Sequence, residues 1–142
     1  MRPDRPYALR GRLGGAELEG LHTALRAHAR GLYCAEAAVE LLIGHRVWLR
    51  RRDFTAVFVE TGVVVAGGVP AASIGWPAAI DALDAGALPS SGGEQRVLRI
   101  GASLSAGILL DLGGAVTGLD ETNIGLVAQA IRHANGHRPV GL

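Results

Sequence analysis

The chain contains no lysine; all 14 of its basic residues are arginine. A phosphate-binding loop of the GxxxxGK[ST] kind needs its lysine to reach the β- and γ-phosphates, so that route to nucleotide chemistry is closed. Cysteine occurs once, as Cys34, so no disulfide can form within the chain. Such usage fits a reducing cytoplasm, which is the expected location. Aromatic residues make up only 4% of the sequence and charged residues 19%, against a hydrophobic content of 49%. Alanine, leucine and valine must therefore build the core. A formal net charge of +1 provides no whole-chain attraction for a polyanion. The opening MRPDRPYALRGRLGG has arginines but no apolar run of the secretory kind, so no leader is expected there.

One stretch is long enough to span a bilayer without meeting a charge, the 20 residues from Thr61 to Ile80. It carries Gly62, Gly67, Gly68, Pro70, Gly75 and Pro77. A backbone broken that often would leave polar groups unsatisfied in lipid, so no membrane span is expected. The total of 142 residues fits one domain. The expected division is a flexible basic arm over 1–14, a single helical domain over 15–136 and a short tail over 137–142. The arm holds Arg2, Arg5, Arg10 and Arg12 against Asp4 alone.

Helical spacing dominates from Ala16 onward. Leu18, Leu21, Leu25, Ala29 and Leu32 make one apolar stripe, with Glu17 and Glu19 at its start and Arg26, His28 and Arg30 at its end. A second amphipathic run places Ala35, Ala38, Val39, Leu42 and Ile43 inside, with Glu36 and Glu40 outside and Gly44 as its stop. Gly31 lies between the two runs. It either breaks them into a tight αα-hairpin or kinks one long helix. Cys34 falls near the start of the second run. A helix N-terminus can lower a thiol pKa, but the cysteine sits among alanines and is expected to be a small buried hydrophobe.

Asp53 is placed to cap a short helix carrying Phe54, Val57 and Phe58. The Gly67-Gly68 pair between apolar runs marks a hairpin over 63–74, with Pro70 confining the second strand to an edge. Pro77 suits the first turn of a compact helix that turns Ile80 and Leu83 inward and stops at Gly86. The spacing Ser91-Gly92-Gly93-Glu94 is a capping box ahead of Val97, Ile100 and Leu104. Asp111 and Asp120 are placed to cap two more helices, the second with Ile124, Val127, Ala128 and Ile131 on one face. The fold class is mostly α: a compact bundle of five or six helices with one small β-hairpin.

Three likenesses attach to these residues. The order SGGEQ, an apolar run ending at Asp111, then TGLD resembles the signature, Walker B and D-loop order of ABC-type ATPases. That likeness would imply a nucleotide site, but Leu112 stands where the family places its catalytic glutamate, and the P-loop lysine is missing. The unit over 108–135 is similar in pattern to a helix-turn-helix or winged helix. It would imply nucleic-acid contacts from Arg10, Arg12, Thr122, Asn123 and Arg132. Its second helix opens on Asp120 and Glu121, which repel phosphate, and Arg132 is its only basic residue. Finally, WPAAIDALDAGALP with SSGGEQRVLRI, TGLDETN and HANGHR resembles a group of short, uncharacterised actinobacterial proteins over Leu41 to Arg138. That likeness implies a source and no activity.

The densest basic stretch is HRVWLRRRDFTAVFVE. Arg46, Arg50, Arg51 and Arg52 surround Trp48, an arrangement that can grip a protein partner by guanidinium and ring together. The competing picture puts Trp48, Phe54 and Phe58 in the core, with the arginines reaching outward. No HExxH or CxxC occurs, and the 5 histidines form no zinc set, so neither metal nor cofactor is assigned. No GxSxG elbow accompanies the serines, so no catalytic residue is assigned. The leading expectation is a non-catalytic interaction or regulatory module that binds a protein partner or itself. A nucleic-acid-binding regulator is the alternative, and an ATPase-like or other enzyme a distant third.

Overall fold

A computed structural model describes residues 10–137. Seven α-helices and one antiparallel hairpin appear among them. They are α1 (Gly15–Ala29), α2 (Tyr33–His45), α3 (Arg52–Phe58), β1 (Val59–Val65), β2 (Val69–Ile74), α4 (Trp76–Asp84), α5 (Gly92–Ala106), α6 (Leu112–Thr117) and α7 (Glu121–Ala134). Single 3₁₀ turns precede α3 and join the strands. Helix count exceeds the expected five or six because the 15–45 region divides and the short α3 and α6 both form.

The break at Gly31 is real. Gly31 has φ +88, a left-handed conformation that ordinary side chains disfavour, and the chain reverses into α2 within three residues. An αα-hairpin therefore replaces the kinked-helix alternative. α2 is the centre of the molecule and packs against α1, α5 and α7. Its sequence, YCAEAAVELLIGH, is apolar on most sides, as a helix with neighbours on several faces requires. Ala37, Ala38, Val39, Leu41 and Leu42 are all buried. α1 contributes Leu21, Leu25 and Ala29, while Leu32, expected in the same stripe, lies beyond the helix end and is exposed.

Glycines set two of the helix contacts. α2 runs past Gly44 to His45, so this glycine is not the stop. A Cβ built on Gly44 would lie 2.9 Å from a methyl of Leu126, so its absence lets α7 approach α2. The terminating residue is Arg46, held left-handed at φ 63. In α5, Gly101 faces the Trp76 ring, which would stand 3.0 Å from a Cβ there.

The capping box forms as its spacing requires. Glu94 N–H donates to Ser91 Oγ at 3.1 Å, and Ser91 N–H donates to Glu94 Oε1 at 2.9 Å. Asp111 accepts from Gly114 N–H at 3.2 Å, and Asp120 from Asn123 N–H at 2.7 Å. Asp53 does not cap α3; that position belongs to Arg51. β1 starts at Val59, earlier than the expected 63, because a bulge at Gly62 (φ +82) lets Val59 and Glu60 pair with Ile74 and Ser73. Pro70 is tolerated because each strand of a two-stranded sheet is an edge.

The expected arm over 1–14 needs correction at its end. Leu13 N–H donates to the Arg50 carbonyl and Arg52 N–H to the Gly11 carbonyl, so residues 11–13 dock as an antiparallel bridge. Residues 1–9 of the arm, and 138–142 of the tail, lie outside the described residues. Among the described residues no helix is long and apolar enough to cross a membrane.

Candidate functional site

The arginine and tryptophan stretch does not form the expected surface. Trp48 opens a 3₁₀ turn that directs its ring inward, and it is fully buried. Its indole N–H donates to the Glu94 carbonyl at 2.9 Å. Phe54 lies 5.5 Å from it, centroid to centroid, and Phe58 lies 5.6 Å from Phe54, each ring tilted against the last. In a chain so poor in aromatics, these rings are needed inside. Arg51 covers the Trp48 ring at 4.8 Å, and its Nε donates to Asp53 Oδ1 at 2.8 Å. The Arg51 hydrogen bonds hold the Asp53 carboxyl below the usual range. Arg52 is paired bidentately with Glu17 at 2.7 and 3.1 Å. Of the five residues, Arg46 alone is exposed, and Arg50 is half-buried. Trp48, Arg51 and Arg52 already have intramolecular roles, and no guanidinium-and-indole face remains.

The C-terminal unit has the expected caps and a turn over 118–120, but its second helix is rotated from the expected face. Val127, Ala130 and His133 are buried, whereas Ile124 and Ile131 are exposed. The rotation follows from α7 lying on α2 rather than on α6. Thr122 is exposed, Asn123 is half-buried beside its cap, and Arg132 is exposed. Arg10 is exposed, while Arg12 is fixed through its backbone to Arg51. The strings that resemble an ATPase serve structure. Ser91 and Glu94 satisfy each other, and the Arg96 guanidinium fills the space where a side chain on Gly118 would stand, donating to the Gly118 carbonyl at 3.3 Å.

No sequence motif marks the third region. The last turns of α1, the first half of α2 and the end of α7 enclose a cleft of about 410 Å³. Arg26 donates from Nε and Nη2 to the two oxygens of Glu40, at 2.8 and 2.9 Å. These bonds push the Arg26 pKa up. On the floor, His133 Nε2 lies 2.9 Å from Glu36 Oε1, and Glu36 Oε2 accepts the Gly31 N–H at 2.8 Å. His133 is the buried polar residue of the described chain, 6% exposed. Arg30 stands at the rim with no carboxylate in salt-bridge reach among the described residues. The usable signal was the charge order about Gly31: arginines at 26 and 30 before it, glutamates at 36 and 40 after it. That order becomes meaningful only once the turn is known to be a hairpin.

Two other groups lie at the ends of α2. Cys34, expected to be buried, is exposed, because the first turn of α2 protrudes at the hairpin end. His45, at the opposite end of α2, has a buried Nδ1 without a partner, and burial pushes its pKa down despite Glu94 and Asp120 nearby. Among the described residues no group of three or more His, Cys, Asp or Glu could hold a metal ion. Comparison with protein-family models, with curated proteins and with solved structures finds no match for this chain.

Proposed function

We propose that the protein is a non-catalytic interaction module of the cytoplasm, and that its contact face is the outer flank of α7, paired with a second copy of the chain. The observation that carries this reading is the exposure of Ile124 at 38% and Ile131 at 49%. Two helical turns separate them, with Ala128 between, so the three make one stripe. Val127, Ala130 and His133 already fill the core side of α7, so the stripe is not needed for folding.

Its chemistry favours a like partner. The stripe carries no charge, so it gives a charged ligand nothing to hold. A twofold interface needs a self-complementary surface. Two antiparallel copies of α7 can set each isoleucine beside the small Ala128 of the other. Completing the burial of an isoleucine stabilises by up to about 1.5–3 kcal/mol from full exposure, so four half-exposed ones contribute several kcal/mol. The single exposed cysteine fits a reducing compartment. No observation specifically favours the nucleic-acid reading, since the exposed side of α7 has Arg132 against Glu121.

Light scattering on a sizing column tests the proposal. The expected result is a dimer at about 100 µM, becoming a monomer in the double variant Ile124→Glu, Ile131→Glu with the helical circular dichroism unchanged. A monomeric parent overturns the reading. A variant that stays dimeric overturns the choice of face.

A further inference from the structure

The cleft at the α1–α2 hairpin is lined by two arginines and two glutamates, and Arg30 is in none of the salt bridges among the described residues. Arg26 and Glu40 face each other across the hairpin, and Arg30 and Glu36 line the same cleft. The first pair is closed at 2.8 Å. Glu36 is engaged by His133 and by the Gly31 N–H, and Arg30 has no carboxylate within salt-bridge reach among the described residues.

We propose that this cleft binds a small organic carboxylate with an apolar stem, the ligand's carboxylate pairing with the Arg30 guanidinium at the rim. Guanidinium recognises carboxylate with two parallel hydrogen bonds, which fixes direction as well as charge. Arg26 keeps Nη1 outside its bonds to Glu40 and can add a second donor from the same wall. Beneath the arginines lie Ala29 and Val39, apolar and almost wholly buried, which suit a short hydrocarbon stem better than a fully hydrated anion. A volume of about 410 Å³ lies within the range of small-molecule sites. The His133–Glu36 contact at 2.9 Å forms the floor. Dimer formation leaves this cleft untouched, because its residues lie on α1 and its C-cap Arg30, on α2 and on the inner face of α7.

Sodium butyrate is the probe, followed by ¹H–¹⁵N spectra of the full chain. Saturable shifts centred on Ala29, Arg30, Val39 and His133 are expected, with Kd on the order of 1 mM for so small a ligand. Arg30→Gln, a change at an exposed site, should weaken binding at least tenfold without altering the rest of the spectrum. Acetate should bind more weakly than butyrate, and butylammonium should leave these signals in place. Absence of saturation with butyrate overturns the proposal. So does an Arg30→Gln chain that binds butyrate as the parent does, or inorganic phosphate acting as strongly, which would make Arg30 only a solvated charge at the end of α1.

Discussion

Replacing Gly101 by alanine sets two opposed effects against each other, and the packing decides the sign. Glycine inside a helix is about 1 kcal/mol worse than alanine, so on propensity alone the variant gains. The new methyl would stand 3.0 and 3.1 Å from two atoms of the Trp76 ring, with a Leu42 methyl at 3.9 Å. Trp76 is only 6% exposed, and a rigid ring has no free tip to turn aside. Overpacking of this kind costs about 1–3 kcal/mol. A net loss near 1 kcal/mol is therefore expected, or roughly 4 °C in Tm for a chain of this size. Gly20 of α1 is the internal control, because a Cβ there meets nothing within 4 Å. Gly20→Ala should gain about 0.5–1 kcal/mol. Urea unfolding of both variants measures the contrast, about 2 kcal/mol between identical substitutions. If Gly101→Ala stabilises as much as Gly20→Ala, the account of close packing between α5 and Trp76 is refuted.

Arg46 is the one non-glycine residue with positive φ among the described residues. Arg46→Gly should raise stability by up to about 1 kcal/mol by thermal melt, and a loss would show that the arginine side chain has a structural role. Ser91→Ala opens the capping box and should cost about 1 kcal/mol, read as a lower urea midpoint. His45 and His22 are both held below the ordinary imidazole range, chiefly by burial. The fold therefore favours their neutral forms, and this stability is complete above about pH 6.5 and is lost as pH falls through the lowered values. The urea midpoint should drop from about pH 7.5 to about pH 5, where Asp53 and Glu17 stay ionised because Arg51 and Arg52 hold their pKa values down. In His45→Leu the drop should shrink; an equal or larger drop would contradict the assignment.

Local chemistry was legible in the sequence, and long-range partnership was not. The caps at Ser91, Asp111 and Asp120 depend on residues three apart, and each formed where its spacing placed it. The buried side of α4 was readable for the same reason, with Ile80 and Leu83 inward. The mostly helical class and the hairpin about Gly67-Gly68 also came from local signals. Failures occurred where the answer depended on a distant element. Trp48 reads as a recognition residue beside four arginines, yet the Glu94 carbonyl, 46 positions away, takes its indole N–H. The face of α7 was misjudged because Ile124 and Ile131 are as apolar as Val127, and only the position of α2 selects among them. The floor of the cleft was not legible because Glu36 and His133 lie 97 positions apart. Gly44 and Gly118 look like helix stops or turn residues, and their actual roles depend on Leu126 and Arg96.

Cross-linking tests most directly whether the outer flank of α7 is the contact face. With Cys34→Ser as background, a cysteine introduced by Ala128→Cys would sit on the stripe, and one introduced by Thr122→Cys on the opposite flank. Disulfides need Cα atoms within about 4.4–6.8 Å, so mild oxidation reports close approach between copies. Rapid dimer formation through position 128 and none through 122 is the expected outcome. No cross-link at 128, or equal cross-linking at both positions, would contradict it.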